Sequence, residues 1–476
     1  MKIKIINNNL ITEIYFDKPL LLSDIIKSNI PDFLFPCAGN GKCGKCIVKC
    51  DGKVSEPDDN EKIILEDNFA KGYRLACKTY ALGDCVIYLE NINQLKNNAD
   101  ISDSVVVKPM TGDKDCLVGV VDIGTTSVAV NIYKMPEFTV VKSISQRNLQ
   151  SAYGADVLSR ITKTVNCGSD ELYKVINNQI DSMLGNVEFR IVTGNTAMLS
   201  FYKNIDVSSL SVAPFDVDEL FGYINDNECI PKCISAFVGA DVTCGIISSG
   251  MLEYEKALLI DIGTNGEIVY KNGDKFYCGS AAAGPAFECA NIKNGVQSVD
   301  GAINKVYNIG NHIQYTVIGK KSPIGICGSG LIDAVATMLN LDIIDFTGYL
   351  QSDFYIGDSN VCITPNDIRN VQVAKASIRA AIEVICDDID NVEKIYISGS
   401  FGTFLNIENA VKIGLIPKTA KNKVVLCGNT AATGAAMMLS NCKMFDLANQ
   451  IAEKVTTVQL AGNDDFFKKY ISFMNF

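Results

Sequence analysis

Two stretches of this sequence share one pattern, and they constrain the fold more than any other feature. Residues 116–133 read CLVGVVDIGTTSVAVNIY, and residues 257–273 read ALLIDIGTNGEIVYKNG. Each runs from an apolar strand into Asp-Ile-Gly-Thr and then into a second apolar strand. Asp122 and Asp261 lie 139 positions apart. A hairpin repeated at this separation predicts two similar α/β halves that face a shared cleft.

The turns of the two predicted hairpins have the composition of a phosphate-binding site. Gly and Thr in a tight turn offer backbone N–H groups and hydroxyls to a phosphate. Glycine allows the backbone to approach the phosphate closely. A carboxylate at the strand end can hold Mg²⁺ directly or through water. One such turn is more often an ordinary hairpin turn, but two copies at a half-domain spacing favour phosphate binding.

A cysteine-rich loop, PCAGNGKCGKC at 36–46, predicts a second site. Cys37-x5-Cys43-x2-Cys46 is followed after thirty residues by Cys77. Plant-type [2Fe–2S] ferredoxins use C-x4-C-x2-C and a distant fourth cysteine. The extra residue in the first gap resembles the adrenodoxin-like branch. Glycines in such a loop let backbone N–H groups turn towards the cluster sulfurs. We therefore expect these four cysteines to hold a [2Fe–2S] cluster.

A disulfide framework and a zinc site are the rival interpretations of these thiols. The chain has eighteen cysteines and no export signal, and the cytosol keeps thiols reduced. Four-cysteine zinc sites usually come as two C-x2-C pairs, and Cys77 has no such partner. The looser pair Cys229-x3-Cys233 is interpreted as core or loop positions. The pattern favours the cluster over zinc and leaves zinc as the alternative.

Composition excludes several classes of partner. The net charge is −11 and no Lys/Arg cluster is present, which argues against nucleic acid and against anionic membrane surfaces. The N-terminus lacks the apolar run of a signal peptide, and no stretch approaches about 18 uncharged apolar residues. We therefore expect a cytoplasmic protein. The single histidine, His312, makes a Ser-His-Asp triad improbable.

The chain is predicted to divide into three parts. Residues 1–95 contain two strand pairs and a helix, which suits a small α+β domain and resembles the β-grasp ferredoxin fold. Residues 96–115 are polar and turn-rich, as is typical of a linker. Residues 116–476 alternate strands and helices.

The repeated hairpins resemble the first and second phosphate loops of the ASKHA superfamily, which includes acetate kinase, sugar kinases, heat-shock ATPases and actin. The resemblance implies two ribonuclease-H-like α/β halves with ATP and Mg²⁺ between them. It implies that Asp122 and Asp261 hold Mg²⁺ and orient water. The residues that it places around the phosphates are Gly124, Thr125, Thr126, Gly263, Thr264 and Asn265.

Four further segments resemble other parts of that superfamily. TGNTAM at 193–198 falls where the first connecting segment is expected. CGNTAATGAAMML at 427–439 resembles the second connecting helix, whose small residues let two helices pack closely. YISGSFGTFL at 396–405 resembles the adenosine loop, and Gly328 and Gly330 open a helix on the ribose side. The adenosine-loop residues that we expect to contact the nucleotide are Gly399, Ser400 and Gly402.

A ferredoxin domain joined to an ASKHA ATPase domain resembles the reductive activators of corrinoid-dependent enzymes of anaerobes. GPAFECANIKNGVQSVDGAI at 284–303 and SPIGICGSGLID at 322–333 resemble signatures of that family. The resemblance implies ATP-dependent transfer of one electron from the [2Fe–2S] cluster to the Co(II) corrinoid of a methyltransferase corrinoid protein, which regenerates Co(I). It also implies an upstream low-potential electron donor. Larger members carry a middle domain, for which the 20-residue linker leaves no room.

Three other functions remain as alternatives. The chain could be an ATP-gated electron donor to another low-potential enzyme, such as a radical dehydratase. It could be a small-molecule kinase with a regulatory cluster, or a non-enzymatic actin-like scaffold.

Overall fold

The structure is a computed structural model that describes most of the chain. The described residues are 1–7, 10–29, 46–58, 61–62, 65, 69, 71–89, 110–112, 114–154, 156–212, 215, 217–399 and 404–476. They form two compact units, one of residues 1–107 with 137–139 and one of residues 108–136 with 140–476. Among the described residues, none of the helices combines the length and the apolar character needed to cross a membrane.

The elements are numbered in chain order. The strands are β1 (Lys2–Asn7), β2 (Leu10–Tyr15), β3 (Leu20–Leu21), β4 (Ile47–Val54), β5 (Tyr73–Leu75), β6 (Tyr80–Tyr88), β7 (Cys116–Ile123), β8 (Ser127–Met135), β9 (Thr139–Arg147), β10 (Phe189–Gly194), β11 (Tyr223–Ile224), β12 (Glu228–Ile230), β13 (Lys256–Ile262), β14 (Gly266–Asn272), β15 (Lys275–Ala281), β16 (Ala302–Ile309), β17 (His312–Val317), β18 (Gly325–Ile326), β19 (Phe354–Tyr355), β20 (Cys362–Ile363), β21 (Lys394–Ser398), β22 (Val424–Gly428) and β23 (Val455–Thr457). The helices are α1 (Leu22–Asn29), α2 (Val157–Cys167), α3 (Asp170–Leu184), α4 (Thr196–Lys203), α5 (Ala240–Ser249), α6 (Gly328–Asn340), α7 (Pro365–Ile385), α8 (Ile407–Lys412), α9 (Thr430–Ser440), α10 (Cys442–Lys454) and α11 (Asp464–Ser472).

The N-terminal unit is an α+β fold with the strand order β2-β1-β6-β4-β5, and β3 also pairs with β6. The hairpin strand β1 runs antiparallel to β2 and parallel to β6. Alternation of apolar and polar residues along β6 puts Ala81, Cys85 and Ile87 inside the sheet's core face. The predicted β-grasp ferredoxin fold is confirmed.

The larger unit contains two sheets of the same design. Their strand orders are β11-β12-β10-β7-β8-β9 and β22-β21-β13-β14-β15-β23. In each, the strand that carries Asp-Ile-Gly-Thr pairs antiparallel with the next strand and parallel with a later one, β10 or β21. Both Asp-bearing strands are almost continuously apolar because each lies in a sheet interior. The predicted duplicated α/β architecture is confirmed.

Equivalent glycines support the duplication at the level of single atoms. Gly194 ends β10, and a Cβ there would lie 2.6 Å from the carbonyl oxygen of Ile123. Gly399 follows β21, and a Cβ there would lie 2.5 Å from the carbonyl oxygen of Ile262. In both halves, therefore, a glycine at the end of β10 or just after β21 allows the chain to pass close to the isoleucine that follows the repeated aspartate.

Two helices of small residues connect the halves. α5 packs against α9, where a Cβ on Gly434 would lie 2.1 Å from the carbonyl oxygen of Cys244. The prediction for 427–439 is therefore confirmed. The prediction that 193–198 is the first connecting segment is wrong, because these residues end β10 and begin α4, and it is α5 that packs on α9.

Candidate functional site

The two Asp-Ile-Gly-Thr turns meet inside the larger unit. Thr126 Oγ1 of the first turn lies 3.4 Å from Thr264 Oγ1 of the second. Ile123 pairs with Val128, whereas Ile262 pairs with Gly266, so the first turn is one residue longer than the second. The sequence repeat therefore places Thr125 opposite Thr264 in alignment, but in space Thr126 is the nearer threonine.

A glutamate that the sequence did not single out joins the two turns. Glu288 Oε2 accepts hydrogen bonds from Thr126 Oγ1 at 2.8 Å and from Thr264 Oγ1 at 2.5 Å. Glu288 ends a short 3₁₀ turn that begins at Pro285. Its only sequence signal is its place in GPAFECANIK, a stretch noted above as a family signature without a role for any one residue.

Four more carboxylates influence one another around the turns, and two of them were not predicted. Burial raises the pKa of Asp122 to about 6 and that of Asp261 to about 6. Burial and the charges of Asp261 and Asp122 raise the pKa of Asp241, in the first turn of α5, to about 8. Burial, then Asp241 and Asp261, raise the pKa of Glu267 well above its ordinary value. The cleft therefore resists holding all of these charges without a cation.

No lysine or arginine of the described residues forms an ion pair with any of these five carboxylates. The described part of the chain also holds no group of three or more His, Cys, Asp or Glu side chains arranged to bind a metal. Mg²⁺ commonly takes only one or two carboxylates and completes its shell with phosphate and water. Carboxylates and turn hydroxyls of this kind fit a Mg²⁺–phosphate group better than a metal held by protein alone.

Polar side chains hold the first turn in place through hydrogen bonds. Asn148 Nδ2 donates to the carbonyl oxygen of Gly124 at 2.8 Å, and Asn195 Nδ2 donates to Thr125 Oγ1 at 3.2 Å. Arg160 is fully buried and donates to the carbonyl oxygen of Thr125 at 2.6 Å. Asn429, the N-cap of α9, donates to Asp122 Oδ2 at 2.8 Å and so ties the second half to the first. The first turn is therefore held by hydrogen bonds from protein side chains.

The remaining predicted nucleotide residues are only partly described. Gly328 begins α6 as expected, and a Cβ on Gly330 would lie 2.3 Å from the carbonyl oxygen of Ile303. Gly399 has φ +95° and approaches Asp261, since a Cβ there would lie 2.8 Å from Asp261 Oδ1. Ser400 and Gly402 lie outside the described residues.

The N-terminal unit brings two of the four predicted cluster ligands together. Cys46 Sγ and Cys77 Sγ are 3.2 Å apart and buried. Sulfur ligands of one tetrahedral metal lie about 3.8 Å apart, since each metal–sulfur bond is about 2.3 Å, so these two thiols would have to separate slightly to bind one iron. Cys37 and Cys43 lie outside the described residues.

A buried ion pair supports the segment that carries Cys77. Arg74 Nε and Nη2 donate to the two carboxylate oxygens of Glu61 at 2.9 and 3.0 Å. Glu61 Oε1 also accepts from the backbone N–H of Leu75 at 2.7 Å and from Thr79 Oγ1 at 3.1 Å. One carboxylate therefore holds the chain on both sides of Cys77.

Comparison with protein families covers nearly the whole chain. A model described as the C-terminal domain of RACo, the ASKHA domain, matches residues 255–476. A model of the RACo middle region matches residues 118–254, and a 2Fe-2S iron–sulfur cluster binding domain matches residues 8–82. The expectation that a middle region is missing is wrong, because that region corresponds to the first of the two α/β halves.

Individual relatives agree with these matches. The chain is 31% identical over 409 residues to the corrinoid activation enzyme RamQ of Eubacterium limosum, with 74% of this chain and 68% of that protein covered. It is 26% identical over 407 residues to a Methanosarcina barkeri [Co(II) methylated amine-specific corrinoid protein] reductase, with 74% and 75% covered. A solved reductive activator for corrinoid, iron–sulfur protein has 24% identity and a TM-score of 0.72, with 100% and 98% covered.

Proposed function

We propose that this chain, which belongs to the family of reductive activators of corrinoid proteins, uses ATP to transfer one electron to the Co(II) corrinoid of a methyltransferase corrinoid protein and so regenerates Co(I). The observation that carries the proposal is the meeting of two phosphate-type turns at Thr126 and Thr264, one from each half, in a chain that also pairs the thiols of Cys46 and Cys77. In this function, residues 1–95 are the electron-transfer domain, residues 96–115 are the linker and residues 116–476 are the ATPase domain.

The cleft residues have separate roles in this proposal. The hydroxyls of Thr125, Thr126 and Thr264, with the turn backbone, hold the phosphates. Asp122 and Asp261 hold Mg²⁺, whose charge offsets that of carboxylates that have no Lys or Arg ion-pair partner among the described residues. Asp241 and Glu267 face the same charge, and Mg²⁺ favours their ionised forms.

The thiols of Cys37, Cys43, Cys46 and Cys77 hold the [2Fe–2S] group. When bound, this group supplies a one-electron donor, which an upstream low-potential protein must reduce again. Burial of Cys46 and Cys77 keeps water from the thiolates.

ATP is needed because reduction of Co(II) to Co(I) lies at very low potential. For a one-electron couple, each 59 mV of unfavourable potential costs about 1.4 kcal/mol. A nucleotide can offset this only through a different affinity for two states of the protein or of its complex. Contacts that join the halves, such as the Asn429–Asp122 hydrogen bond, can couple nucleotide binding to a change in the rest of the unit.

The test is anaerobic. The reduced protein is mixed with a Co(II) corrinoid protein from the same organism, and Co(I) absorbance is followed with and without Mg-ATP. We expect ATP-dependent Co(I) formation that is lost in Cys46→Ala and in Asp261→Asn. ATP turnover without Co(I), against several corrinoid proteins, would favour another low-potential acceptor, such as a radical dehydratase.

A further inference from the structure

Glu288 occupies the position at which the two halves present their threonine hydroxyls. Thr126 and Thr264 both donate to the same carboxylate oxygen. A Cβ on Gly263 would lie 3.8 Å from the other oxygen, so the second turn also lies close to this carboxylate. A carboxylate and a phosphate are anionic acceptors that use hydroxyl donors at similar distances. The two turns therefore bind the Glu288 carboxylate through the same hydroxyl groups that we propose for a phosphate oxygen.

We propose that the carboxylate of Glu288 competes with the terminal phosphate of Mg-ATP for the hydroxyls of Thr126 and Thr264, and so sets the preference of the site between ATP and ADP. The inference rests on the proposed ATP-binding function. A hydroxyl donates one hydrogen, so each threonine can serve the carboxylate or the phosphate but not both. ADP lacks the third phosphate and leaves the contacts of Glu288 unchanged.

Charge makes the competition stronger. Asp261 is close enough to Glu288 for the glutamate's charge to act on it, and neither carboxylate has an ion-pair partner among the described residues. A terminal phosphate beside Glu288 adds like charge at short range in a half-buried site. Mg²⁺ offsets part of this repulsion, and displacement of Glu288 removes the rest.

The backbone on both sides of Glu288 contains residues in the left-handed conformation. Gly284 has φ +75°, and a Cβ there would meet no atom within 4 Å. Cys289 and Asn291, on the other side, have φ +63° and +65°. Left-handed conformations are costly for residues other than glycine, and they persist where surrounding contacts hold them. Cys289 N–H donates to the carbonyl oxygen of Ala286, and Asn370 Nδ2 donates to that of Asn291, so these conformations are held by contacts other than those of the Glu288 side chain.

The experiment compares Mg-ATP and Mg-ADP binding by calorimetry in the wild-type chain and in Glu288→Gln. Glutamine keeps the size of the side chain but removes its charge. We expect Mg-ATP to bind about tenfold more tightly in the variant, because a neutral amide oxygen is a weaker acceptor for the two hydroxyls than a carboxylate oxygen, and Mg-ADP affinity to change less than about twofold. Glu253→Gln, at an exposed position outside the cleft, is the matched control and leaves both affinities unchanged.

Two outcomes overturn the inference. Unchanged or weaker Mg-ATP binding in Glu288→Gln makes the glutamate a structural residue or a cation ligand, and an equal gain for Mg-ADP removes the link to the terminal phosphate. If the glutamine variant unfolds, Mg-ATP affinity is measured in Glu288→Asp instead. We expect tighter binding there too, because the shorter carboxylate cannot accept hydrogen bonds from both threonine hydroxyls. A wild-type chain that binds neither nucleotide contradicts the proposed function itself, which is a separate result.

Discussion

At the scale of single residues, Glu61 supports the proposed cluster site without being one of its proposed ligands. Its side chain is 1% exposed and binds Arg74 through two hydrogen bonds. Glu61→Gln leaves the buried guanidinium without its counter-charge, and breaking such a pair typically costs about 3–5 kcal/mol. We expect the variant to retain less iron after reconstitution, as measured by iron content and by the EPR signal of the reduced protein.

The control for this prediction is Glu13→Gln in the same unit. Glu13 pairs with Lys2 across β1 and β2, and both side chains are 42% exposed. Exposed pairs contribute about 0–1 kcal/mol, so iron content stays at the wild-type value. If Glu61→Gln and Glu13→Gln retain iron equally, Glu61 does not position the segment of Cys77.

Gly399 gives a second prediction at residue scale. A Cβ at this position would meet the carbonyl oxygen of Ile262 at 2.5 Å and Asp261 Oδ1 at 2.8 Å. Gly399→Ala must therefore displace the aspartate, and we expect Mg-ATP affinity to fall by at least about tenfold, as 1.4 kcal/mol is sufficient for that loss. Isothermal titration of the folded variant measures it.

Gly462→Ala is the control that distinguishes the effect of the contact with Asp261 from the effect of backbone strain. Gly462 also has a left-handed φ, +74°, but a Cβ there would meet no atom within 4 Å. Both variants carry the conformational cost of alanine at positive φ. Only Gly399→Ala loses nucleotide affinity, and an equal loss in the two variants would make strain, not the approach to Asp261, the cause.

At the scale of elements, the long helix α7 holds the C-terminal helix α11 and the residues after it. Lys375 of α7 is 1% exposed; its ammonium donates to the carbonyl oxygen of Asn475 and lies 5.2 Å from the ring centroid of Phe476. Burial, with a smaller contribution from Arg379, lowers the pKa of Lys375 from 10.5 to about 8. The folded chain therefore gives up this proton at lower pH than the unfolded chain does.

The sign of the pH dependence follows from this difference. Between pH 8 and pH 10.5 the unfolded state binds more protons at Lys375 than the folded state, so this residue's contribution to stability rises with pH and is lost as pH falls from 10.5 to 8. We expect the free energy of unfolding of the wild type, relative to Lys375→Met, to rise across this window in urea titrations. Lys418→Met, at an exposed position, serves as the control, with a flat difference. A flat difference for Lys375→Met would contradict the prediction.

The elements also show what the sequence could and could not reveal. The paired strands around Asp122 and Asp261 were predictable, because period and composition determine a buried hairpin locally. The hydrogen bond between Thr126 and Glu288 was not predictable from the sequence. It joins residues 162 positions apart, and the turn that carries Glu288 has no repeated copy in the sequence. The order of segments along the chain wrongly placed the connecting segment at 193–198, where Asn195 caps α4, because α5 is recognised by its packing on α9 rather than by a local sequence pattern.

At the scale of the whole molecule, the two units have separate cores. The core of the N-terminal unit includes Ile3, Leu22 and Cys77, and those of the larger unit include Val121 and Leu258. None of the described residues belongs to the cores of both units, so we expect ligand binding in one unit to be independent of the core of the other. The proposed function nevertheless needs both units, since the nucleotide and the electron donor are held by different parts of the chain.

Because the two proposed sites lie in separate units, we predict opposite effects of two single substitutions on iron content and on Mg-ATP affinity. Cys77→Ser loses iron but binds Mg-ATP with wild-type affinity, and it gains the same stabilisation from the nucleotide, about 2.7 kcal/mol at a hundredfold excess over Kd. Asp261→Asn keeps its iron and loses Mg-ATP affinity, because the buried carboxylate is a proposed ligand of Mg²⁺. Iron analysis, calorimetry and thermal unfolding measure the three quantities. Both variants fail to form Co(I), for different reasons. Loss of Mg-ATP binding in Cys77→Ser would show that the cluster site is needed for the nucleotide site to form, and the two functions would then be one.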